Sequence, residues 1–72
     1  MEQYITALNA FLLANSLRKP EDRLRYGQMC FNALSSARPD LAKSVEGTDN
    51  DPFYDDRNVP RFFTWLAKEL PD

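Results

Sequence analysis

Apolar positions recur along this chain at spacings of three and four, the period of an amphipathic helix. In the first segment Ile5, Leu8, Phe11 and Leu12 lie on one stripe, Leu13 and Leu17 widen it, and Tyr4 extends it toward the N-terminus. Lys19-Pro20 ends this helix, because the residue before a proline avoids the helical region. Pro20-Glu21-Asp22 then reads as a restart. Proline suits the first helical turn, and carboxylates there meet the positive end of the helix dipole. Leu24, Gly27, Phe31 and Leu34 form the next stripe, flanked by Cys30 and Ala37. Arg38-Pro39-Asp40 repeats the break and the restart. Leu41, Ala42 and Val45 then mark a short third helix, which Gly47 closes in a left-handed cap. The last stripe is Val59, Phe62, Phe63, Leu66 and Leu70, with Trp65 at its edge, Asp56 or Asn58 as its cap and Pro60 in its first turn.

No strand-like alternation interrupts this pattern. It predicts one all-α domain over residues 1–72, a small bundle of four helices at approximately 2–18, 20–37, 39–46 and 57–70. An acidic-aromatic loop fills 48–56. Helices 1, 2 and 4 are expected to build the core, with the third as a short connector. Gly27, in the middle of its stripe, costs about 1 kcal/mol against alanine. The expected return is close approach to the backbone of another helix; a place beside a ligand is the functional alternative.

Composition narrows the class. The chain has 72 residues, of which 43% are hydrophobic and 12% aromatic, too apolar for a disordered segment. No apolar run approaches the roughly 18–20 residues of a membrane span. Met1-Glu2-Gln3-Tyr4 lacks the basic stretch of a secretory signal. With a single cysteine, Cys30, no intrachain disulfide can form, and the expected location is the cytoplasm. A domain this short has a thin core, to which a second copy or a larger partner would add burial. Charge is uneven: residues 1–38 carry a net +2, residues 39–56 a net −5 and residues 57–72 a net +1. That bias is opposite to a nucleic-acid binder's, so neither direct nucleic-acid contact nor a membrane is expected.

The chemistry of catalysis is thinly represented. The chain contains no histidine, so Cys30 and serines 16, 35, 36 and 44 lack the usual base. Cys30 sits on an apolar stripe and reads as a small buried hydrophobe. Two glycines cannot make a glycine-rich phosphate loop. The expectation is a non-enzyme without a cofactor.

The conspicuous feature is the loop, where Asp49, Asp51, Asp55 and Asp56 bracket Phe53 and Tyr54. Four carboxylates could hold Ca²⁺ or Mg²⁺, but the EF-hand pattern fails: from Asp49, the glycine position is Tyr54 and the glutamate position is Pro60. The plainer reading is turn and cap chemistry. The aromatic pair either folds back entirely and pins the loop, which is the expected arrangement, or leaves one ring exposed as an anchor for a partner. The partner-binding surface predicted on this basis is Phe53, Tyr54, Asp55 and Asp56, bordered by Arg57 and Arg61, with Trp65 as a second candidate. The expected role is binding another protein. An acidic surface that inhibits a nucleic-acid-handling enzyme and a divalent-cation loop are the alternatives. Arg18, Lys19, Arg23 and Arg25 surround the first helix junction and read as solvated surface. A helix-turn-helix over 24–46 fails because its second helix is short and more acidic than basic.

One string carries a resemblance. It runs Arg25-Tyr26-Gly27-Gln28, Phe31-Asn32-Ala33-Leu34, Arg38-Pro39-Asp40-Leu41-Ala42, Gly47-Thr48, Asp51-Pro52-Phe53-Tyr54-Asp55-Asp56 and Phe62-x-x-Trp65-Leu66. It resembles a pattern in small all-α proteins of bacteria and of their phages and plasmids. The resemblance implies a bacterial setting and a phage- or prophage-derived accessory protein, and attaches no activity. The same residues suggest a latch: if the loop folds over helix 2, Arg25 can bond Asp55 or Asp56, and Gln28 or Asn32 can bond loop backbone.

Overall fold

The chain, described here by a computed structural model over residues 1–71, is built of four α-helices: α1 (Glu2–Ser16), α2 (Tyr26–Ala37), α3 (Pro39–Val45) and α4 (Val59–Glu69). Short 3₁₀ turns at Pro20–Asp22 and Asp56–Asn58 precede α2 and α4. No described residue is in a β-strand, and no helix among them is long and apolar enough to cross a membrane.

The core is a single cluster. Tyr4 and Leu8 of α1, Met29, Cys30, Ala33 and Leu34 of α2, Ala42 and Val45 of α3, and Phe62 and Leu66 of α4 are all buried. So α3 contributes to the core as well as connecting. Phe62 is the hub of the aromatic part. Its ring lies 6.1 Å from Tyr4, 5.4 Å from Phe63 and 6.1 Å from Trp65. The Tyr4 hydroxyl donates to the Cys30 carbonyl at 3.0 Å, so the one polar atom α1 buries in the cluster has a partner.

One helix face and one boundary differ from the pattern. The stripe that α1 buries passes through Tyr4 and Leu8, with Ala7, Phe11 and Leu12 partly covered, whereas Ile5, Leu13 and Leu17 face outward. A one-position rotation of the stripe decides this, and Tyr4 wins the inner place because its ring and hydroxyl both find partners. Helix α2 begins at Tyr26 rather than at Pro20. Pro20 does open a turn, but Arg23 and Arg25 are extended, with ψ of 140° and 158°. The cause is Asn15. Its carboxamide accepts from the Leu24 N–H at 2.8 Å and donates to the Leu24 carbonyl at 3.2 Å, so Leu24 has no backbone group left for a helix. The Arg23 guanidinium meanwhile donates to the Arg18 and Ser16 carbonyls at the end of α1. Gly47 follows α3 at φ +77°, the left-handed conformation that suits glycine.

Candidate functional site

The 48–56 segment is organised around Asp51, which is 5% exposed. Its carboxylate accepts from the Gly47 N–H at 2.8 Å and the Phe53 N–H at 2.9 Å. Its N–H donates to the Thr48 carbonyl, and its own carbonyl accepts from the Asn58 carboxamide at 3.1 Å. One side chain thus ties the end of α3 to the loop, while Asn58 ties the loop to the start of α4. Asn58 also opens α4, with its carboxamide spent on Asp51 rather than on a cap. Pro52, next in line, is fully buried.

Pro52 is buried because the loop lies on α2 at Gly27. A Cβ at Gly27 would collide with the Pro52 carbonyl oxygen and stand 2.7 Å from Asp56 Oδ1. The close approach anticipated for this glycine is therefore made by the loop and not by another helix. The Gly27 N–H, free because it lies in the first turn of α2, donates to Asp56 Oδ1 at 3.0 Å. Arg25 stands beside it, 3.5 Å from the same oxygen, and its guanidinium also donates to the Phe53 carbonyl.

Of the three latch residues, Arg25 reaches the loop. Gln28 does not: its Oε1 accepts from the Arg25 N–H at 2.8 Å, capping the first turn of α2 from its third residue. Asn32 makes no hydrogen bond to the loop among the described residues. Asp55 bonds neither Arg25 nor α2. It caps the 3₁₀ turn through the Arg57 N–H and holds the Arg57 guanidinium at 2.8 Å. These bonds, the side chain's first and the backbone's second, lower the Asp55 pKa to about 2.

The aromatic pair divides. Phe53 folds inward against Phe31, ring centroids 5.5 Å apart, while Tyr54 stays 81% exposed and packs edge-on to Phe53 at 4.8 Å. The expectation that both rings pin the loop fails here. With Asp51 fixing the Phe53 N–H and Arg25 fixing the Phe53 carbonyl, the backbone has one inward position, and the next side chain must point out. Phe31, Glu46, Asp51, Phe53 and Tyr54 line a shallow groove of about 70 Å³. Glu46, its rim carboxylate, is exposed and without an ion-pair partner among the described residues.

The remaining candidates lie apart from this groove. Arg57 is exposed but paired with Asp55, Arg61 is exposed on α4, and Trp65 is half-buried against Phe62. Arg61 and Trp65 make no hydrogen bond, ion pair or ring contact with the loop among the described residues. The four loop aspartates do not converge either, and no group of three or more acidic or thiol side chains suited to a metal occurs among those residues. Asp49 is exposed, Asp51 is buried in its own turn, and Asp55 and Asp56 face different arginines. Cys30 is fully buried, and that burial pushes its thiol pKa up, so it has neither the access nor the thiolate character of a nucleophile. A larger open cleft of about 300 Å³ is lined by Met1, Glu2, Gln3, Tyr4, Arg38 and Leu70. Two of its polar groups are engaged: Tyr4 bonds the Cys30 carbonyl and Arg38 pairs with Asp40 at 2.9 Å.

Comparison with protein-family models, with curated proteins and with solved structures yields no match. Glu46 was not singled out in the sequence, and Asp51, Pro52 and Asn58 stood there only as a loop carboxylate, a member of the resembling string and a cap candidate. Asp51-Pro52 does carry a usable signal, an Asx residue two positions before an amide it can bond.

Proposed function

We propose that this chain is a non-enzymatic protein-interaction module that presents Tyr54 and the adjoining groove to a basic segment of another protein. The observation that carries the reading is the exposed Tyr54 ring beside an anchored Phe53, on a backbone held by Asp51, Arg25 and Asp56. Tyrosine is enriched among residues that dominate binding energy. A loop fixed before binding loses little entropy when it docks. The partner's charge follows from the groove: aromatic faces flanked by the Glu46 carboxylate, unpaired among the described residues, suit an arginine or lysine side chain beside an apolar one. The setting we assign, on the resemblance in the 25–66 string, is a bacterial cytoplasm and a phage- or prophage-derived regulatory factor.

Inhibition through an acidic, phosphate-like face draws less support. Asp55 and Asp56 are paired with Arg57 and Arg25, and Asp51 is turned inward.

Selection of peptides from a random display library tests the proposal, with Tyr54→Ala and Glu46→Gln chains as counter-targets. The expected peptides are rich in arginine or lysine next to an apolar residue. Their affinity should fall at least tenfold on Tyr54→Ala, with the helical circular dichroism unchanged. Peptides that bind both variants as well as the parent chain would overturn the reading, as would acidic ones.

A further inference from the structure

From Gln3 to Leu17 the chain carries no charged residue. This stretch is nearly all of α1 with its C-terminal cap. One side of α1 covers the core. The other side faces water with Ile5 42% exposed, Leu13 67% exposed and Leu17 82% exposed, among Thr6, Asn9, Ala10 and Ala14. A helix on the surface ordinarily carries charged and polar residues on its outer face; here that face sets large apolar side chains among small and uncharged polar ones.

We propose that the outer face of α1 is a homodimer interface in which two copies of the chain pair α1 against α1, antiparallel, about a two-fold axis near Ala10. Thr6, Ala10, Leu13 and Leu17 follow one another at spacings of four, three and four, so they make one stripe. In a two-fold interface each residue i that meets j is matched by j meeting i, and any charge near the axis meets its own copy. A face without charges suits a second copy for that reason. An axis at Ala10 puts the small side chain at the crossing, where the backbones come closest. It lays Leu13 of each copy near Thr6 of the other, and Leu17 near Gln3.

The ends supply charge complementarity. Glu2 opens α1, and Arg18 and Lys19 follow it. Neither Glu2 nor Arg18 nor Lys19 has an ion-pair partner among the described residues. Antiparallel pairing brings Glu2 of each copy beside Arg18 and Lys19 of the other; parallel pairing would set like charges together. A helix of 15 residues is about 22 Å long, so such a seam buries on the order of 1,000 Å² in total, the lower limit for a specific interface. The pair is therefore weak and its mass depends on concentration.

Sedimentation equilibrium of the chain from about 5 µM to 1 mM tests this. The mass should climb from 8.3 kDa toward twice that value. Leu13→Arg, at an exposed position that leaves the core intact, should hold the mass at the monomer value with unchanged circular dichroism. Glu2→Arg should weaken the pair, and adding Arg18→Glu should restore it. A constant monomer mass to 1 mM overturns the proposal, as does a dimer indifferent to Leu13→Arg. A monomer that binds neutral phosphatidylcholine vesicles through Leu13 and Leu17 also overturns it, and would assign the face to a lipid surface. The loop variants of the preceding section do not enter this test, so the two proposals fail independently.

Discussion

Gly27 shows most directly how one residue places the site. In an exposed helix, alanine in place of glycine would gain about 1 kcal/mol. Here the gain is outweighed, because the added methyl meets the Pro52 carbonyl oxygen and Asp56 Oδ1, of which the first is backbone and cannot swing away. Gly27→Ala should destabilise the chain by about 1–3 kcal/mol, the range of overpacking. It should also speed amide exchange from Asp51 to Asp56, because the loop must lift. Gly47→Ala separates this effect from backbone strain. Nothing lies within 4 Å of a Cβ at Gly47, so only its φ of +77° opposes the change. A cost of about 1–2 kcal/mol with normal exchange at Asp56 is expected there. Denaturant titration and hydrogen exchange read both variants. A Gly27→Ala chain as stable as the parent would mean that the loop does not rest on α2.

At the scale of elements, the start of α2 is decided by a contact with α1. Asn15 takes both backbone groups of Leu24, and the chain stays extended until the Arg25 N–H donates to the Gln28 side chain at the start of α2. Removing the carboxamide in Asn15→Ala should cost about 1–2 kcal/mol, the value of two partly buried hydrogen bonds less their hydration. Asn15→Asp keeps the acceptor and loses the donor, so its cost should be intermediate. Faster exchange at the Leu24 amide should accompany Asn15→Ala and not Asn15→Asp, which retains the acceptor of that amide; an unchanged unfolding midpoint in Asn15→Ala would reject the clamp. This contact also shows where sequence reading stops. The existence of four helices was legible, because proline breaks at 20, 39 and 60, the Gly47 cap and the apolar stripes are local signals. The start of α2 was not, since a polar residue nine positions away sets it. The inward side of α1 was legible in part: Tyr4, Leu8, Phe11 and Leu12 turn in as their stripe predicts, whereas Ile5, Leu13 and Leu17 are apolar neighbours that stay outside. The loop's chemistry was half legible: its aromatics and acids stand out, but the split between Phe53 and Tyr54 depends on Asp51 and Arg25 fixing the backbone between them.

At the scale of the whole molecule, stability rests on few large side chains. A domain of this size has roughly 4–11 kcal/mol in total at the usual 0.05–0.15 per residue. Phe62, fully buried, touches the rings of Tyr4, Phe63 and Trp65, and so joins α4 to α1. The Tyr4 hydroxyl carries the connection on to α2 through the Cys30 carbonyl. Phe62→Ala removes this hub and leaves a cavity that the three rings cannot all move to fill. The expected loss is about 3–5 kcal/mol, much of the total. The melting temperature should fall by more than about 12 °C, at roughly 4–8 °C per kcal/mol in a domain this small. Trp65 emission, from the chain's single tryptophan, should shift to the red as its neighbour disappears. Because the hub spans the helices, emission and circular dichroism should melt together in the parent chain. If emission changed in Phe62→Ala while the helices melted at the parent temperature, α4 would be a separately folding appendage, and the loop it anchors through Asn58 would owe its shape to α2 alone.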